Sequence, residues 1–127
     1  MTDQRPSAIP AIDVVAAERL RRGAGDGRAP LLVDVRETGE IAQVRAEGIV
    51  VMPLSQFALR FRELPRDRPL LIICHSGNRS GMVAGHLIAN GWIEAMNVTG
   101  GMIAWQRAGL PVRRGPLAAD EGGLPEG

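Results

Sequence analysis

Apolar residues in this chain fall into two kinds of run. The short ones are unbroken: LLVDV at 31–35, IVVMPL at 49–54 and LLIIC at 70–74. None shows the period of two expected of a strand with one wet face. LLIIC reads as a central strand buried on both faces, as in parallel sheets, LLVDV as a short buried strand ending at Asp34, and IVVMPL as a second apolar run stopped by Pro53. The second kind has apolar positions at helical spacing. AIDVVAAERLRRG, 11–23, carries Asp13 as a candidate cap and Gly23 as a stop. SQFALRFREL, 55–64, reads as a helix capped by Ser55, with Phe57 and Phe61 on one stripe and Leu59 or Arg60 between them. SGMVAGHLIANG, from Ser80, places Met82, Val83, Leu87 and Ile88 near one face and ends at Gly91. EAMNVTGG supplies a further short strand, and MIAWQRAGLPV a last helix turning at Gly109 and Pro111. RETGEIAQVRAEG, 36–48, reads as a loop with a helical turn. Strands alternating with helices predict an α/β domain with a parallel sheet. Its chemistry is then expected beyond the carboxyl ends of the strands, where Asp34 and Cys74 fall.

Polar, Gly- and Pro-containing segments bound this pattern. Residues 1–8 read as a flexible leader, 9–113 as the domain, and 114–127, rich in Gly, Pro and acidic residues, as a disordered tail. The 127 residues suffice for one domain with a real core. A net charge of +1 and an aromatic content of 3% offer neither nucleic acid nor an anionic membrane a surface. No stretch approaches the roughly 18 apolar residues of a membrane helix. The start, MTDQRPSAIP, does not read as a secretory signal, so a reducing cytoplasm is the expected compartment.

One cysteine and two histidines exclude an internal disulfide and leave too few ligands for a structural zinc site. Neither metal nor cofactor is expected. The single thiol is therefore inert packing or a reactive group, and its position is informative. Cys74 ends the most strand-like run and precedes His75, Ser76, Gly77, Asn78, Arg79 and Ser80. Gly77 opens backbone conformations closed to other residues, and Asn78 tolerates them better than most. A tight turn of this kind can aim successive N–H groups inward as an anion-binding nest, with the following helix adding its own N–H groups and positive dipole end. A thiol so placed ionises easily, and the same donors would hold a persulfide or phosphoryl group. Arg79 either adds charge or turns outward to hold the loop through a carboxylate. Ser76 and Ser80 could donate to a bound sulfur anion, although Ser80 reads mainly as a helix N-cap. The reading requires amides aimed at the sulfur and a route from Cys74 to water.

CHSGNRS after LLII resembles the active-site loop of the rhodanese domain family. The likeness extends over roughly residues 9–113. LLVDVRETGE is similar to the family's Asp-Val-Arg-Glu segment, IVVMPLSQF to its Ile-Pro-Leu run, and the stretch from Gly81 to Val112 to its closing half, with Gly100-Gly101, Trp105 and Gly109-Leu110-Pro111-Val112. The resemblance implies a twisted five-stranded parallel sheet with helices on both faces. It implies a sulfurtransferase in which Cys74 takes up sulfane sulfur from thiosulfate or a persulfide and passes it to cyanide or a thiol, a partner protein's thiol included. Backbone N–H groups of residues 75–79 would be the main stabilisers. Two departures stand out. VRAEGI at 44–49 keeps only Gly48 of a Gly-His-Ile-Pro-Gly-Ala segment, with Arg45 in place of His. Ser76 and Glu40 stand where some thiosulfate-using relatives carry basic residues, which argues against thiosulfate as the donor and leaves a persulfide, low-molecular-weight or protein-bound, open.

Spacing separates competing chemistries. Cysteine phosphatases, including those built on this fold, place Arg six positions after Cys; here Arg79 falls five after Cys74. A non-catalytic binding module of the same fold is the alternative to the enzyme, the phosphatase a more distant one. Among remaining candidates, Asp34 and Arg36 read as a structural ion pair, or with Arg36 lending potential at the pocket mouth. Glu37 and Glu40 read as solvated, with Glu40 a possible determinant of donor preference. His75 reads as pocket wall, His86 as exposed, and Trp92 and Trp105 as core.

Overall fold

A computed structural model describes residues 9–23 and 28–125. The expected leader, 1–8, and the last two tail residues lie outside them. Strands β1 (Ala11–Ile12), β2 (Leu31–Asp34), β4 (Val50–Val51), β5 (Leu70–Ile73) and β6 (Ala95–Val98) form one parallel sheet in the order β1-β6-β5-β2-β4. β3 (Arg45–Ala46) pairs antiparallel with β7 (Val112–Arg113). The fold expected from the sequence is the one observed. β5 is central and wholly buried, which is why its sequence shows no alternation.

Helices α1 (Val14–Gly23) and α5 (Gly101–Arg107) bury Val14, Ala17, Met102 and Trp105 together with Leu71 and Ile73 of β5. Leu70 and Ile72 of the same strand pack with Phe57 of α3 (Leu54–Arg60), with Phe61 and Leu64 just beyond it, and with Val83 and Leu87 of α4 (Asn78–Ala89). The two clusters are the two sides of one pleat. Trp92 and Trp105 are core residues, as expected. Each indole N–H is satisfied, by Leu64 O at 2.9 Å and Pro111 O at 3.0 Å. Asp13 caps α1, its Oδ1 accepting from Ala16 N at 2.8 Å.

Several local expectations change. Met82 stands 68% exposed, because α4 begins at Asn78 and its buried stripe runs through Ser80, Val83, Ala84 and Leu87. Leu59 projects into solvent between Phe57 and Phe61. Ser55 does not cap α3. Its backbone N–H and its hydroxyl both donate to the Glu37 carboxylate, at 3.1 and 2.7 Å, so Glu37 is an anchor for α3 and not a free solvated acid. RETGEIAQVRAEG contains a helix, α2 (Thr38–Gln43), and then β3.

The disordered tail does not hold for residues 114–125. This segment lies along β4, the open edge of the sheet: Val51 N donates to Gly122 O at 2.7 Å, Gly122 bridges Val50, and Leu117 and Leu124 pack against the two core clusters. Its anchor is Arg45, buried at the position of the missing His. Arg45 donates to both Glu121 carboxylate oxygens, at 2.6 and 2.8 Å, and to Gly115 O at 2.6 Å. Composition alone does not reveal a tail that supplies the counter-ion to a buried cation. The Arg45 guanidinium holds the Glu121 carboxyl down to about 2. A folded value below the unfolded one stabilises at neutral pH and is lost as pH falls through about 2. Glu121→Gln is expected to cost about 1.5–3 kcal/mol at neutral pH, the range for hydrogen bonds to charged groups. The gap to wild type should close as the solution is acidified toward that value, read from urea midpoints at neutral pH and in acid.

Among the described residues no helix is long and apolar enough to cross a membrane.

Candidate active site

Cys74 is the first residue beyond β5, at the carboxyl edge of the sheet. Gly77, at φ 105°, is the N-cap of α4 and turns the chain from strand into helix within four residues. This bend aims amides at the sulfur: Gly77 N–H and Ser80 N–H donate to Cys74 Sγ at 3.1 and 3.3 Å. The Ser80 hydroxyl lies 3.2 Å from Sγ. Burial pushes the thiol up, but hydrogen bonds from the Ser80 hydroxyl and from the amides of Ser80, Gly77 and Ser76 outweigh it, leaving Cys74 below the ordinary thiol value.

The amides face inward because the carbonyls are held elsewhere. Cys74 O accepts from Met102 N at 2.8 Å and His75 O from Ile103 N at 3.1 Å, so the first turn of α5 grips the back of the loop. That approach needs glycine. A Cβ on Gly101 would lie 2.4 Å from Cys74 O and 2.6 Å from His75 C. Gly77 O is held by Gly81 N at 3.2 Å and by Asn97 Nδ2 at 3.1 Å.

Cys74 is 1% exposed, under a rim on which His75, Ser76 and Asn78 are exposed. The route from Cys74 to water that the sequence reading required is thus not open in this structure. Arg79 grips Glu40 with both terminal nitrogens, at 2.8 and 2.9 Å, and forms no hydrogen bond to the sulfur among the described residues. Glu40 is thus not a free solvated acid. The Arg79 guanidinium, opposed by partial burial and helped by Glu37 N–H, holds it down to about 2. Asp34 and Arg36 lie behind the site, 0% and 2% exposed. Their carboxylate and guanidinium meet at 2.8 Å, and Arg36 also donates to Val44 O at 2.7 Å and Glu40 O at 3.3 Å. This is the structural ion pair; Arg36 presents no surface at the pocket mouth.

The sequence profile of the rhodanese-like domain matches residues 16–108. The chain belongs to the rhodanese-like family. It is 36% identical over 101 residues to a sulfurtransferase of Allochromatium vinosum, covering 80% of this chain and 94% of that one. To a thiosulfate sulfurtransferase of Vibrio cholerae it is 29% identical over 101 residues, covering 80% and 92%. A crystal structure of a rhodanese-related protein from Thermoplasma volcanium superposes with a TM-score of 0.70 at 25% identity, covering 82% of this chain and 97% of that one.

Within this rhodanese-like domain the structure gathers Cys74, Ser76, Gly77 and Ser80 around one sulfur, leaves His75 and Asn78 on the rim, and sets Arg79, Asp34 and Arg36 aside as supports. Of the amides expected at 75–79, those of Ser76 and Gly77 reach the sulfur, and that of Ser80, outside the expected range, joins them. Ser80 is not the helix cap: two residues of helix precede it, and its N–H and hydroxyl face the thiol. Residues missed from sequence are Asn97 and Gly101 as supports of the loop. A lone Asn in the short run AMNV was the available signal for the first.

Proposed function

We propose that this domain is a sulfurtransferase with Cys74 as its nucleophile. The Cys74 thiolate attacks the outer sulfur of a donor persulfide, the Sγ–S bond forms, and the donor's S–S bond breaks with its electron pair leaving on the donor thiolate. An acceptor thiolate, or cyanide, then attacks the outer sulfur on Cys74, and the Cys74 thiolate departs. No external oxidant or reductant enters. The observation that carries this reading is the convergence of Gly77 and Ser80 amides on Sγ with Arg79 bound to Glu40. A phosphatase would need that guanidinium on the substrate. The two relatives, a sulfurtransferase and a thiosulfate sulfurtransferase, support transfer of sulfur.

The rim favours a persulfide over thiosulfate. Arg79 is neutralised by Glu40, and Ser76 adds no charge, so little attracts a dianion. A thiol outer face, small molecule or protein, fits better. The test is incubation with glutathione persulfide and, separately, with thiosulfate, followed by intact-mass measurement. The persulfide should add the mass of one sulfur atom, removed again by cyanide. If neither donor adds mass at neutral pH, the domain is a binding module, a reading with which the 1% exposure of Cys74 also agrees. Glu40→Gln, which frees the Arg79 charge, should raise loading from thiosulfate about fivefold at low salt and far less at high salt, since one unpaired charge within a few ångströms is worth about 1 kcal/mol in a screened, water-rich setting. An unchanged rate would detach Glu40 from donor choice.

A further inference from the structure

The hydrogen bonds around Ser80 have a direction. Gly77 O can only accept, so the amide nitrogen of Asn97 faces it, at 3.1 Å. Asn97 Oδ1 is thereby turned to the Ser80 hydroxyl, at 2.6 Å, and can only accept there. Ser80 has one hydroxyl proton. While that proton points to Asn97, what Ser80 offers the sulfur at 3.2 Å is a lone pair. A lone pair suits an S–H donor and repels a thiolate. When the thiol ionises, the hydroxyl must swing to Sγ and leave Asn97 Oδ1 without its partner. Ser80 is fully buried and Asn97 half-buried, so water replaces that contact only in part and ionisation carries a net cost.

We infer that Asn97 is a positioning residue for Cys74: by holding the Ser80 hydroxyl proton, it favours the neutral thiol over the thiolate and so tempers the nest formed by the Gly77 and Ser80 amides. The effect deepens the reading of Cys74 as a sulfur-accepting nucleophile but is tested without any sulfur donor. Unopposed, such a nest would keep an unloaded cysteine charged and open to oxidation. With Asn97 in place, ionisation costs one short hydrogen bond. The charged and titratable groups around Cys74 are His75 on its loop, Arg79 on α4, Glu40 on α2, and Asp34 and Arg36 at the end of β2. Arg79 with Glu40 and Asp34 with Arg36 are paired, and β6, which carries Asn97, brings no titratable group.

The chain suits a direct measurement, having one Cys and no Tyr, so thiolate ultraviolet absorbance reports Cys74 without tyrosinate interference. Asn97→Ala should shift the titration midpoint down by about half to one pH unit, the equivalent of one neutral hydrogen bond. Ser80→Ala should shift it up, and adding Asn97→Ala to Ser80→Ala should produce no further change. Should Asn97→Ala not fold, Asn97→Leu, of similar shape without polar atoms, carries the same expectation. An unchanged or raised midpoint in the single Asn97 variant would overturn the inference. So would an equal shift in the presence and absence of the Ser80 hydroxyl, which would mean that Asn97 acts only by shaping the Gly77 turn. Because no donor is present, failure here leaves the sulfur-loading result untouched, and failure of loading leaves the titration standing.

Discussion

Cys74→Ser is expected to abolish sulfur uptake while leaving the domain folded. Serine places a hydroxyl where the amides of Gly77 and Ser80 already converge, so the new polar group is hydrogen-bonded and stability should move by about 1 kcal/mol or less. The chemistry, in contrast, has no substitute. A hydroxyl is a weak nucleophile at its own pKa, and no base stands beside it. His75 is on the exposed rim and, among the described residues, forms no hydrogen bond to Cys74. Loading should therefore fall at least about a thousandfold, the scale seen when a covalent nucleophile is removed. Intact mass after exposure to a persulfide gives the loading, and a urea midpoint gives the stability. Sulfur uptake by the Ser variant would place the nucleophile elsewhere or reduce the modification to a surface artefact.

Gly101→Ala should damage the site from behind. The residue sits at φ 55°, a left-handed conformation that costs an L side chain about 1–2 kcal/mol. Strain is the smaller part. The added methyl would collide with Cys74 O and His75 C, which belong to backbone and cannot rotate away. Either α5 retreats and releases the two carbonyls it holds, or the loop shifts and its amides lose the sulfur. Expected results are a loss of about 2–4 kcal/mol, the range of marked core overpacking plus backbone strain, and a loading rate lowered by at least about a hundredfold. Gly109→Ala is the control. Gly109 also has positive φ, at 71°, but nothing lies within 4 Å of the site a Cβ would take. It should cost about 1 kcal/mol and leave loading intact. If the two variants behave alike, the seating of the loop on α5 does not shape the nest.

The parts of this structure legible in the sequence are those governed by local patterns. Four consecutive apolar residues before Cys74 mark a central strand, and Gly77 marks the turn that makes the nest, because each depends only on its neighbours. What escaped detection depends on partners far along the chain. Glu40 looks like a surface acid until Arg79, 39 positions later, closes on it. Glu37 looks the same until Ser55 is found 18 positions away. Arg45 and the tail each look anomalous alone, one a cation in an apolar stretch, the other a run of turn formers, and they explain one another once paired through Glu121. Ser80 was misread for a smaller reason. The helix starts at Asn78, so a residue with capping chemistry becomes the third residue of the helix, with its hydroxyl lying between the sulfur and Asn97.

The grip of α5 and Asn97 on the Cys74 loop has a practical corollary for engineering. Seven residues, Cys74 to Ser80, look like a cassette that might be transplanted into another α/β scaffold. Their curvature, however, is imposed by Asn97, Gly101, Met102 and Ile103, more than twenty positions away from the cysteine. A graft that moves the heptapeptide alone would carry the thiol without the mould that bends the chain around it; both stretches must travel together.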